Sequence, residues 1–78
     1  MITHELKILP EYFEPALAGR KNFEIRYNDR NYQIGDTIIL REWINGKYTG
    51  RELKREIQYL TDYQQKDGYV VMNLFNAE

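Results

Sequence analysis

The residues best placed to do chemistry are Gly19-Arg20-Lys21-Asn22-Phe23-Glu24-Ile25-Arg26. A glycine is followed by two adjacent cations and then by a run that alternates polar and apolar. On a strand, successive side chains point to opposite faces. That alternation predicts Phe23, Ile25 and Tyr27 toward a core, with Asn22, Glu24, Arg26 and Asn28 sharing the other face. Lys21 joins them from the preceding turn. Two cations and a carboxylate gathered this way can receive a phosphate or a nucleobase. Arginine offers a planar fork for a phosphate or a base edge, and lysine a compact point charge. The same pattern also describes a solvated strand face with one ion pair.

Absences narrow the field. The chain has no cysteine and no serine, so disulfides, thiolate metal sites and Ser or Cys nucleophiles are excluded. His4 is the only histidine, which rules out histidine metal clusters and a Ser-His-Asp arrangement. No phosphate-binding glycine motif is present, and no cofactor or metal is expected. The N-terminal residues lack the basic region and apolar run of a secretion signal. No apolar stretch reaches membrane-spanning length. A cytoplasmic location is the expectation, with no membrane partner.

The net charge is −1 over 78 residues. Nucleic-acid binders usually carry a basic excess, so any such contact must come from a local patch. Residues 19–30 set Arg20, Lys21, Arg26 and Arg30 against Glu24 and Asp29. Residues 41–56 set Arg41, Lys47, Arg51, Lys54 and Arg55 against Glu42, Glu52 and Glu56. Each segment nets +2. Seven tyrosines and one tryptophan can stack on bases or fill the edges of a small β core.

The elements that must position the cluster follow from periodicity. His4–Leu9 alternates and reads as a first strand. Pro10 suits a first helical turn. Glu11–Ala18 places Tyr12, Phe13, Ala16 and Leu17 on one side. Pro15 should keep that helix short or kinked, and Gly19 closes it in the left-handed conformation. Phe23–Tyr27 is a second strand. Turns follow at Asn28-Asp29-Arg30-Asn31 and at Gly35-Asp36. Thr37–Leu40 is an apolar strand continuing to Ile44. Asn45-Gly46 signals a two-residue hairpin that pairs Trp43 with Tyr48, and Gly50 marks a bulge or break. Residues 51–60 fit a helical stripe (Leu53, Ile57, Leu60) or a strand. We read a strand, because Tyr69–Phe75 needs an antiparallel neighbour. Five strands and one short helix in a single domain, residues 1–78, give a mainly β, α+β fold. A small closed or nearly closed five-stranded barrel with a mixed or antiparallel sheet is expected, since closure deals with exposed edges.

Gly19-x-Lys21-x-x-x-x-Arg26, set between helix and strand and followed by the Gly35-Asp36 turn and the Gly68-Tyr69-Val70-Val71 strand, resembles the ASCH domain family of the PUA-like superfamily. The likeness covers nearly the whole chain and is greatest to small bacterial and phage members. It implies a PUA-like β-barrel and a cleft between helix and barrel. It also implies RNA or nucleotide binding, with Lys21 and Arg26 as ligand contacts. Some ASCH proteins are amidohydrolases on acetylated cytidine that use a Lys, a Thr and a Glu, the Thr standing three residues after the signature Lys. Here that position is Glu24, so the threonine nucleophile is missing. A hydrolase using Lys21 with Glu24 as general base on a modified nucleoside or RNA remains the alternative.

Other residues join the candidate set. His4 can face the same cleft, or it can be a partly buried histidine bonded to backbone or to Glu24. Arg20 adjoins Lys21, with solvent as its other destination. Tyr12 and Tyr27 can flank a base or simply pack. Trp43 is a packing residue unless it stands exposed beside Arg41 or Lys47.

Overall fold

Alternation in the first strand buries His4, Leu6 and Ile8 and exposes the residues between them. The computed structural model describes residues 1–76. In chain order the elements are β1 (Thr3–Ile8), α1 (Pro10–Leu17), β2 (Phe23–Tyr27), β3 (Thr37–Ile44), β4 (Lys47–Thr61) and β5 (Tyr69–Asn76). The first strand and the helix each begin one residue earlier than their spacing suggested, which is ordinary fraying of element ends. The strands form one mixed sheet in the order β1-β3-β4-β5-β2. β1 runs parallel to β3, and every other pairing is antiparallel.

The sheet curls into a half-barrel around Leu6, Ile8, Phe13, Tyr32, Ile38, Leu40, Ile57, Val70, Met72 and Leu74. β1 and β2 lie at its two edges and share no backbone ladder. The expected strand count and curl are present, but the seam is closed by arginines. Arg26 Nη2 donates to the Lys7 carbonyl at 2.8 Å, and Arg30 Nη1 donates to the Glu5 carbonyl at 2.7 Å. The free edge of β1 thus finds its donors in side chains, which satisfies groups that would invite another strand.

Helix α1 packs against β3 through Phe13 and Ala16, while Tyr12 and Leu17 sit at its exposed flanks. Pro10 opens it. Pro15 is tolerated because the helix ends just beyond it. Gly19 has φ +80°. Gly19 N–H donates to Ala16 O at 3.2 Å and Arg20 N–H to Pro15 O at 2.9 Å, the two bonds of a Schellman ending. Lys21 N–H also reaches Pro15 O, at 3.1 Å. The end of the helix therefore dictates where Lys21 leaves it.

Two bulges shape β4. Between the pairs Arg41↔Glu52 and Trp43↔Tyr48, one β3 residue faces three on β4. Gly50, with φ +95°, lies in that bulge, as its position suggested. Between Ile57↔Leu74 and Tyr59↔Asn73, β4 carries one extra residue. The second bulge flips the strand, so that Ile57 and Leu60 both face inward. Trp43 and Tyr48 pair across the hairpin with ring centroids 5.0 Å apart.

The alternation of β2 has the opposite phase to the one the sequence suggested. Phe23, Ile25 and Tyr27 are the exposed residues, Glu24 is buried and Arg26 is half-buried. β2 lies at the seam, so its inward face meets the backbone edge of β1 rather than a closed apolar core. Polar side chains are what that edge requires.

Candidate functional site

Glu24 is the centre of the site, 5% exposed on the inward face of β2. Lys21 Nζ donates to its Oε1 at 2.5 Å and also to the Phe23 carbonyl at 2.8 Å. Arg26 Nε donates to Oε2 at 2.9 Å. Both carboxylate oxygens are therefore occupied, each by a different cation. An ammonium has three donors and a guanidinium five. Lys21 retains one, and among the described residues Arg26 Nη1 makes no hydrogen bond.

Above this floor lies an open cleft of about 500 Å³ between the start of α1 and the seam. Lys7, Ile8, Leu9, Tyr12, Lys21, Phe23, Glu24, Ile25 and Arg26 line it. Its charged groups are Lys21 and Arg26 against Glu24 alone, a net of +1 in a chain whose total is −1, while the Lys7 ammonium lies over Trp43, which does not line the cleft. Lys21 Nζ stands 4.9 Å from the Phe23 ring and 6.0 Å from the Tyr12 ring. The walls are aromatic and aliphatic, and the floor carries hydrogen-bonding charge.

The sequence-derived candidates divide cleanly. Lys21, Glu24, Arg26 and Tyr12 come together. Arg20 is exposed and does not line the cleft, because the Schellman ending turns it away from Lys21. Tyr27 is exposed outside, edge-on to Tyr69 with centroids 5.5 Å apart. His4 belongs to another cluster. Its Nε2 lies 2.9 Å from Asp36 Oδ2, and its ring packs edge-on to Tyr32 at 4.8 Å. Its partner is thus Asp36 rather than Glu24, because the parallel register puts Thr3 beside Thr37 and His4 beside Ile38. Asp36 also accepts from Ile2 N–H and Gln33 N–H, both at 3.1 Å. Burial would raise its pKa, but the bonds from His4, Ile2 and Gln33 outweigh that and hold it below the ordinary value. Burial likewise raises the Tyr32 phenol, against the opposing fields of Arg30 and Arg26.

Sequence reading missed Lys7, Ile8, Leu9, Phe23 and Ile25 as cleft lining. It also missed the Glu42 network, where Arg51 bonds Glu42 through Nε and Nη2 at 2.9 and 2.8 Å. Arg51 Nη2 reaches Glu14 at 2.8 Å, and the guanidinium lies 4.6 Å over the Phe13 ring. Thr49 Oγ1 donates to Glu42 at 2.6 Å. Trp43 is half-buried, with Lys7 Nζ 4.0 Å from its ring and Arg41 3.8 Å over neighbouring Tyr48. These contacts leave it a packed residue.

Fold and site together define a small mixed-sheet half-barrel with a cationic cleft built around a buried carboxylate. The chain belongs to the family described as a domain of unknown function, DUF3850, which it matches over residues 3–74. It is also similar to the "Uncharacterized 12.9 kDa protein in GpA 3'region" of Escherichia phage P2. The two are 42% identical over 76 residues, covering 96% of this chain and 70% of that one. Among the described residues no helix is long and apolar enough to cross a membrane.

Proposed function

We propose that the chain is an ASCH-like module on a PUA-like half-barrel that binds RNA or a nucleotide in the cleft above Glu24. The observation that carries this reading is the local charge of +1 in a chain of overall −1, focused where the signature residues Lys21 and Arg26 meet over Glu24. Both cations keep donors that Glu24 does not use, so an anionic or base-edge acceptor can complete them. Tyr12 and Phe23 supply ring surface for a base. A cytoplasmic location goes with this role.

The test is fluorescence anisotropy with a labelled single-stranded RNA oligonucleotide at several salt concentrations. Affinity should fall as salt rises, because phosphate contacts release counterions. Lys21→Ala and Arg26→Ala should each weaken binding about tenfold, or ~1.4 kcal/mol, without unfolding the chain. Absence of binding at low salt would refute the reading.

A second reading rests on the direct Lys21–Glu24 contact beneath the cleft: hydrolysis of a modified nucleoside or RNA, with Glu24 activating water. Both Glu24 oxygens already accept hydrogen bonds, which better suits a residue that orients the cations. Glu24→Gln should preserve binding and lose turnover if the second reading holds. Unchanged turnover in that variant removes Glu24 from any mechanism.

A further inference from the structure

The inverted phase of β2 creates a second exposed surface, which meets the cleft only at Phe23 and Ile25. Phe23, Ile25 and Tyr27 on β2, Tyr69 and Phe75 on β5, and Tyr59 on β4 all stand between 37% and 60% exposed. Register makes them neighbours. Phe23 pairs with Asn73, which pairs with Tyr59, and Ile25 pairs with Val71, which pairs with Thr61. Tyr27 pairs with Tyr69. The outward row of β2 and β5 contains no charged side chain.

The rings are also held in place. Tyr27 lies so close over Gly68 that a Cβ there would strike its ring, and it meets Tyr69 edge-on. A surface already ordered loses little side-chain freedom on being covered. At about 200 Å² for a whole aromatic side chain, the six residues present roughly 600 Å². Monomers rarely leave more than a few hundred Å² of contiguous apolar surface uncovered.

We propose that this face is the interface of a symmetric dimer, covered by the same face of a second copy. Roughly 600 Å² per copy reaches the lower end of stable protein interfaces. The β2 and β5 rows carry no charge of their own, the charges flanking them are of both signs (Glu56 beside Phe75, Lys66 beside Ile25 and Tyr69), and a two-fold contact of this kind closes after two chains. A nucleic-acid strand is the less suited occupant, since cations stand only at the border of the face, Lys66 beside Ile25 and Tyr69 and Lys21 beside Phe23. Phe23 and Ile25 border both this face and the cleft, so pairing would also brace one cleft wall. The proposal depends on no ligand.

Sedimentation equilibrium of the full chain, from about 1 to 200 µM, tests it. The expected result is reversible association to twice the chain mass. Ile25→Lys and Tyr69→Lys should each weaken it at least about tenfold with unchanged circular dichroism. Lys47→Glu, at the hairpin turn, should not. A chain that stays monomeric throughout, or Ile25→Lys associating as well as the parent, overturns the proposal. So does a monomeric chain whose binding of a single-stranded oligonucleotide is lost in Tyr69→Lys, a residue outside the cleft lining, because the face then belongs to that strand.

Discussion

Glu24 and Glu42 make an instructive pair. Both are buried glutamates on inward strand positions, and both are bound by arginine. At Glu42 one guanidinium serves two carboxylates, Glu42 and Glu14, and covers the Phe13 ring. Its Nε and Nη2 bind across three elements, and the network pins α1 to β3 and β4. At Glu24 two cations share one carboxylate beneath an open cleft. The first arrangement carries an excess of negative charge and lies over the Phe13 ring rather than under an open cleft, so it acts as a staple. The second carries an excess of positive charge and spare donors, so it acts as a seat. A buried carboxylate alone does not mark a binding site; the ratio of cations to carboxylates and the access to solvent do.

The comparison can be broken first at the staple. Arg51→Met strands Glu42 in the interior beside Glu14, and it should lower the unfolding temperature more than any other change considered below. It should also alter the pH profile. The hydrogen bonds from Arg51 and then Thr49 depress the Glu42 pKa from 4.5 to about 2. A depressed folded value means stabilisation that is fully present above the ordinary value and fades as pH falls toward 2. Unfolding free energies measured between those limits should slope in the parent chain and flatten in Arg51→Met. Asp36, also depressed, contributes an acid slope of the same sign in both chains.

The next largest effect is expected at the seat. Breaking a buried pair can cost 3–5 kcal/mol, but Lys21 and Arg26 can turn toward solvent, so Glu24→Ala should cost about 2 kcal/mol by urea unfolding. Gly19→Ala should cost about 1 kcal/mol. Its φ of +80° disfavours any side chain, while nothing lies within 4 Å of a Cβ built there. Since the same turn places Lys21, that variant should also bind oligonucleotide less well. Lys21→Met should be the mildest for stability, within about 1 kcal/mol, because Glu24 keeps Arg26. Its loss should appear in ligand affinity instead, and that separation of stability from binding is what distinguishes seat from staple.

Much of this was legible in the residues. The Gly19 stop, the Trp43–Tyr48 hairpin and the Gly50 bulge follow from local chemistry, whereas the strand character of residues 51–60 follows from the need of Tyr69–Phe75 for an antiparallel neighbour. Leu53, Ile57 and Leu60 looked helical for a physical reason: one bulged residue in a strand converts a period of two into spacings of four and three. The phase of β2 was not legible. Alternation shows that two faces differ, but the hydrophobic rule assigns the apolar face inward, and at an open seam that rule fails. His4 and Asp36 are 32 positions apart, and no local pattern announces a pair that only the parallel β1–β3 register creates. Arg51 meeting both Glu14 and Glu42 is equally non-local.

The most direct test is a two-dimensional amide NMR spectrum of the chain titrated with a single-stranded RNA oligonucleotide. Shifts concentrated at Tyr12 and from Lys21 to Arg26, with Glu42, Thr49 and Arg51 unmoved, are the predicted result. Shifts centred on the Arg51 network, or no shifts at saturating oligonucleotide, would contradict the assignment of the cleft as the ligand seat.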